Sequence, residues 1–413
     1  MADWYHDDAF KLLYYELNTP RGALPESVVL NGKGRFDCSS TDPRCTGCRD
    51  LSTTVIKEGT KYKIGIVNTG TLSTQTFWID GHNFTVIATD FVAIEPYKTN
   101  VITLGIGQRY EIVVEANADL TNGTDFWIHS DICAAPGFRD GRVGILRYKA
   151  QSTADPPTRA TSHVDPGCED PAPSLLKPIL RTRVGSRVNS LEADDYLKIG
   201  LEAWPNVTDP NSRIHRWTMR NVPMQLDWEQ PSLRKLTRNG PPGTKNLSAL
   251  FPPETEPVVL DYDTGEWVYF VITNNYTVED VTPPRTLPQT VHPIHLHGHD
   301  FYVLAQGQGP FSKRVVPQLD NPARRDVVNC PTNGFVWIAF QIDNPGAWLI
   351  HCHVAFHASS GLVMQFIEQP GKIKSLLQRN QVLGSLEERC EDWTRWYTTM
   401  NEKKGALQED SGV

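Results

Sequence analysis

The chain has 413 residues and a mass of 46.4 kDa, with 40 Lys and Arg against 48 Asp and Glu, a formal net charge of −8. That length suits two or three domains, each able to bury its own core, and 39% hydrophobic with 21% charged residues excludes a disordered chain. The acidic balance argues against a nucleic-acid groove, which needs clustered Lys and Arg, and no apolar run reaches the roughly 18 residues of a membrane span.

The first ten residues, MADWYHDDAF, lack the apolar core of a signal peptide. Short runs rich in Val, Ile, Tyr, Phe and Trp then recur between turn residues, at 61–67, 77–88, 101–116 and 141–148, and later at 196–204, 266–273, 301–305 and 335–342. This spacing predicts an all-β chain of antiparallel sandwiches or barrels. Helices are expected only near the end, at 372–379 and 387–401. A stretch rich in Pro, Thr, Ser and Asp, 151–174, reads as a linker. It divides the chain into a first domain at 1–150, a second at 175–370, and a partly helical tail at 371–413.

The eight cysteines are Cys38, Cys45, Cys48, Cys133, Cys168, Cys330, Cys352 and Cys390. Several lie in Pro/Gly/Asp-rich loops, where disulfides of secreted proteins often sit. Glycosylation sequons begin at Asn83, Asn122, Asn206, Asn246 and Asn275. Cys45-x-x-Cys48 with Cys38 could hold zinc, but no second pair stands at zinc spacing, so loop disulfides are the stronger reading.

Seven of the twelve histidines fall in two patches, HPIHLHGH at 292–299 and HCHVAFH at 351–357. Alternation along a strand, at about 3.3 Å per residue, puts His295, His297 and His299 on one face and His292 on the other. His351 and His353 likewise oppose Cys352. Paired as neighbouring strands, the patches offer an imidazole quartet (His295, His297, His351, His353) on one side. The other side carries His292 and Cys352, with His357 returning from the following turn. Two imidazoles and a thiolate are the trigonal ligand set of a blue-copper centre. His299 is expected to support the site by hydrogen bonding. His6, His82, His129, His163 and His215 read as ordinary surface or core residues.

These segments, with NPARRDVV at 321–328 and DNPGAWLIHCHVAFHASSGL at 343–362, resemble a multicopper oxidase, most closely a fungal laccase. Weaker matches lie at 2–6, 30–38 and 79–90, so the likeness spans nearly the whole chain. It implies two tandem cupredoxin-like Greek-key β-sandwich domains, the first without copper and the second copper-binding. It implies copper as cofactor, small aromatic reductants and O2 as partners, and oxidation of phenols or aromatic amines coupled to reduction of O2 to water. By the resemblance, His292, Cys352 and His357 bind type 1 copper, with Leu362 at a non-ligating axial position. His295 binds type 2 copper, and His297, His351 and His353 bind the type 3 pair. Electrons enter at His357 and pass through Cys352 to His351 and His353. The family often holds a carboxylate beside the type 1 pocket to accept the phenolic proton; Asp80 and Asp90 lie in the matching domain, and the resemblance does not assign the role to either. The ending Asp410-Ser411-Gly412-Val413 is similar to tails that plug the channel to the trinuclear site in some fungal laccases.

One departure matters. A laccase trinuclear site takes eight histidines, and the His-Trp-His and His-Ser-His motifs that supply four of them are not in this sequence. The expectation is therefore an N-terminally truncated form with an intact type 1 site and half a trinuclear site, secreted by resemblance, its first domain missing and Cys390 without its partner. The rival reading is a copper-binding electron-transfer or copper-handling protein without oxidase activity. A cupin-type metalloprotein leaves Cys352 without a role.

Overall fold

The computed structural model describes residues 1–19, 22–36, 50–133, 141–157, 166–185, 191–192, 195–206, 209, 211–239, 247–275 and 290–404. Cys38, Cys45, Cys48, Asn246, His163 and the 410–413 ending lie outside them.

Among the described residues strands dominate, in two pairs of larger sheets and a two-stranded one that joins Ala2–Trp4 to Ser27–Val29. In the first half, a five-stranded sheet runs in the order Ser52–Val55, Arg142–Arg147, Asp125–Ile132, Gln75–Ile79, Val101–Leu104. A four-stranded sheet joins Lys61–Val67, Arg109–Glu115, Phe84–Thr89 and Val92–Thr99. Arg109–Glu115 shows why these residues make a strand: Tyr110, Ile112 and Val114 are buried while their neighbours are half-exposed, the period-two pattern of a sheet with one face on a core. Non-consecutive strands lie side by side throughout, the mark of Greek-key crossing.

The second half repeats the plan. A six-stranded sheet runs Arg213–Met219, Tyr196–Pro205, Trp267–Asn274, Gly334–Gln341, Phe301–Gln308, Ala323–Arg325. A five-stranded sheet runs Val258–Leu260, Val363–Glu368, Gly346–Cys352, His292–Leu296, Val327–Cys330. Trp267–Asn274 and Gly334–Gln341 are buried almost end to end, so they read as continuous apolar runs rather than alternations.

Two of the expected long strands are each two strands. The run 77–88 breaks at Asp80-Gly81-His82, where Gly81 takes φ 69°. The run 101–116 breaks at 105–108, where Gly107 takes φ 83°. Both tight turns need left-handed backbone, which glycine adopts without a Cβ penalty.

The helices expected near the end are Pro370–Arg379 and Leu383–Lys404. Leu383–Lys404 is held to Ser232–Asn239 by Glu387, which pairs with Arg234 and Arg238. An unexpected helix, Ala9–Asn18, starts at Asp8, whose carboxylate caps the N–H groups of Phe10 and Lys11. Its Leu13 and Leu17 pack on Ile214 and Phe356 of the second half. No described helix is long and apolar enough to cross a membrane. A disulfide joins Cys133 to Cys168; Cys330, Cys352 and Cys390 are free thiols.

Candidate metal centre

His292–Leu296 lies between two antiparallel partners. Val327–Cys330 pairs on one side, with His292 opposite Cys330, and Gly346–Cys352 on the other, with His295 opposite His351 and Ile294 opposite Cys352. This register sorts the donors. His292 and Ile294 point to the same side of their strand, so His292 and Cys352 meet on one face while His295 and His351 meet on the other.

On the first face, Cys352 Sγ is 3.4 Å from His292 Nδ1 and 3.7 Å from His357 Nδ1, and the two Nδ1 atoms are 3.3 Å apart. His357 comes from the short helix Ala355–Ser359, whose Ala355 N–H donates to the Thr71 carbonyl of the first half at 2.9 Å. All three residues are buried. Leu362 closes the site, wholly buried. Its N–H donates to the His357 carbonyl at 2.9 Å and its carbonyl accepts from Cys352 N–H at 3.1 Å.

Burial sets the electrostatics. It pushes the His292 pKa down to about 3 and holds His357 well below its usual value. It also raises the Cys352 thiol, with Glu16 adding to the rise. Two neutral imidazoles and a buried sulfur are a soft, copper-suited donor set, and a bound cation would compensate the thiolate that burial alone disfavours.

On the second face, one donor atom each from His295, His297 and His351 lies within 4.8 Å of the others. His353 stands beside them, its ring centroid 5.7 Å from that of His295 and 5.6 Å from that of His351. Backbone carbonyls accept from Nδ1 of His295 (Asp326 O, 2.8 Å) and of His351 (Cys352 O, 2.9 Å). A carbonyl cannot donate, so each proton sits on Nδ1 and each Nε2 keeps its lone pair for a metal. His299, which alternation put on the face of His295 and His297, instead turns away from both faces, because the strand ends at Leu296 and Gly298 takes φ 77°; it pairs with the buried Glu368 at 2.7 Å, its ring 4.8 Å from that of Phe340.

Two residues beside the sulfur face carry no motif. Trp217 lies 4.2 Å from the His357 ring and 4.8 Å from the His292 ring, centroid to centroid. Glu16, on the unexpected helix, places Oε1 3.5 Å from His357 Nε2. Burial raises its pKa to about 7, against a hydrogen bond from Trp217. Asp80 and Asp90 are elsewhere: Asp80 faces His129 at 3.0 Å, and Asp90 accepts from Arg325 Nε at 2.9 Å. Glu16 leaves one signal in the sequence, a carboxylate at i+3 from Leu13 on the apolar side of a short helix.

The profiles of the multicopper oxidase family match residues 1–151 and 225–372. Dihydrogeodin oxidase of Aspergillus terreus is 51% identical over the whole of this chain, which covers 68% of that protein. Laccase-2 of Botryotinia fuckeliana is 36% identical, again over the whole chain and 65% of its own length. The crystal structure of the laccase from Botrytis aclada superposes with a TM-score of 0.82 at 34% identity, covering 100% of this chain and 69% of that one. With cupredoxin-like sheets, copper-suited donor sets and these relatives, the chain belongs to the multicopper oxidase family.

Proposed function

We propose that the protein is a laccase-like oxidase in which His292, Cys352 and His357 would hold type 1 copper with Leu362 as a non-ligating neighbour, His295 would serve a type 2 site, and His297, His351 and His353 would serve type 3 sites. In this reading residues 1–150 form a copper-free domain and 175–370 the copper-binding one. The observation that carries it is the buried triangle of Sγ and two Nδ1 atoms with sides of 3.3–3.7 Å. Copper held there would supply one-electron oxidation of a phenol or aromatic amine; four such electrons and four protons balance the reduction of one O2 to two waters, chemistry that a completed imidazole-face copper site would supply.

The chain's residues divide the work. Trp217 and Leu362 keep water from the sulfur face, which favours a stable thiolate–metal bond over oxidation of the thiol. Glu16, beside His357 Nε2, is placed to take the phenolic proton. Its pKa near 7 suits that exchange near neutral pH. Cys352 is bonded in sequence to both His351 and His353, the shortest covalent connection between the two faces. Exposed Asn83, Asn122 and Asn275 and the disulfide Cys133–Cys168 fit a glycosylated, secreted protein.

This sequence holds four of the eight histidines of a laccase trinuclear site, so the remaining ligands would come from residues outside it. That favours a second reading, a copper-binding electron-transfer protein. Copper counting with electron paramagnetic resonance, and oxygen uptake on a phenol, decide between them. Dihydrogeodin, named in the relative above, is the first substrate to try. Oxygen uptake supports the oxidase, a blue centre without uptake supports electron transfer, and four coppers per chain contradict the half-set.

A further inference from the structure

The segment 321–328, NPARRDVV, supplies no ligand, yet it reaches across the seam between the two halves of the chain. Arg325, 1% exposed, donates Nε to Asp90 at 2.9 Å and places Nη1 3.2 Å from Asp170. Asp170 accepts in turn from Gln108 Nε2 at 2.7 Å and from the Asn329 N–H at 2.8 Å. Beside this cluster Arg109, from the first half, grips Asp326 with both guanidinium nitrogens, at 2.6 and 2.8 Å. The two-pronged geometry fixes direction as well as distance.

Both ends of that grip touch the imidazole face. The Asp326 carbonyl receives the Nδ1 proton of His295 at 2.8 Å. Arg109 Nη1 also donates to the Gly107 carbonyl at 2.9 Å. Gly107 lies so close to His353 that a Cβ there would stand 2.6 Å from its Cδ2. One side chain thus ties down the backbone that orients one histidine and the backbone that walls another.

We propose that Arg109 is a positioning residue: its fork on Asp326 holds His295 and His353 in their metal-binding orientation from the other half of the chain. The proposal rests on the reading that the imidazole face holds copper. Residues behind metal-bound histidines typically change metal affinity by about 10–100-fold when removed. A lysine keeps the charge but loses the planar fork.

The test compares Arg109→Lys with Arg147→Lys in the full chain. Arg147 forms another buried pair, with Asp125 at 2.8 Å, and its other partners are Ser152 and the Ala154 carbonyl, none of which contacts a histidine of the imidazole face. Copper-free protein is titrated with Cu(II) alone, following the blue thiolate band and the second, non-blue resonance signal. Imidazole ¹⁵N spectra of the copper-free protein report the His295 tautomer. Arg109→Lys is expected to leave the blue band intact, weaken the second copper at least about tenfold, and mix the His295 tautomers. Arg147→Lys is expected to lower the unfolding midpoint and change neither signal. Unchanged second-copper binding with a single His295 tautomer in Arg109→Lys overturns the proposal. A wild-type chain with no second copper signal overturns the copper reading of the face, and the proposal with it; the intact wild-type baseline tells the two failures apart.

Discussion

Replacing Gly107 by alanine tests how tightly the first half is built against the imidazole face. Two costs add. Gly107 has φ 83°, so any L side chain pays the left-handed backbone penalty of about 1–2 kcal/mol. The new methyl would also lie 2.6 Å from His353 Cδ2 and 2.8 Å from its Nε2, and forcing a methyl into a filled site costs about 1–3 kcal/mol. The expected loss is therefore about 2–5 kcal/mol. Gly59 supplies the control: its φ is 76°, and a Cβ there meets nothing within 4 Å. Gly59→Ala should lose only the backbone share, about 1–2 kcal/mol. Urea midpoints of the two copper-free variants, at equal slope, measure the difference. A Gly107→Ala variant no less stable than Gly59→Ala would show that His353 is not packed where the account puts it.

Other outcomes follow from single contacts. Cys352→Ser should abolish the blue band, because the hydroxyl is a hard donor that cannot replace the soft thiolate, while the copper-free protein keeps its β-sheet spectrum; absorption and circular dichroism check it. Asp90→Asn leaves Arg325 charged and buried with a weakened partner. Burial works against that charge, but Asp170 and Asp90 outweigh it and hold the guanidinium pKa well above its ordinary value. Leaving a buried charge with no partner costs about 3–5 kcal/mol; Asp170 still faces the guanidinium, so the loss read from denaturant curves should stay below that. His215 has its pKa lowered by burial, against a hydrogen bond to the Leu17 backbone carbonyl. A depressed histidine gives stability that is complete above the unfolded pKa of about 6.5 and lost as pH falls through the window below it. His215→Gln should flatten that acid-side loss in a pH series of unfolding midpoints, and an unchanged slope would contradict it.

The donor sets were legible because their spacing is local. Seven histidines and Cys352 sit in two short segments, and strand alternation sorts His292 and Cys352 from His295 and His351, with the His295–His351 register bringing the strands together; it fails for His299, which lies beyond the end of its strand. Glu16 and Trp217 were not legible for the opposite reason. Each reaches His357 through packing between distant parts of the chain; Glu16 shares the buried spacing of Leu13 and Leu17, but that spacing does not record its partner, and Trp217 stands in no pattern at all. The helix carrying Glu16 is ten residues long, with aromatic residues on its exposed side, which blurs its apolar stripe. Asp170 shows the same limit within the polar stretch 151–174. Its composition reads as solvated spacer, yet the carboxylate is buried against Arg325 because a charged partner from the second half awaits it. Nothing in its local sequence records that partner.

Copper-edge X-ray absorption on the chain loaded with one equivalent of copper probes the sulfur-bearing face directly. One sulfur and two nitrogen neighbours are expected around the metal, with the sulfur lost in Cys352→Ser. A first shell of nitrogen and oxygen alone, unchanged by that substitution, would contradict it.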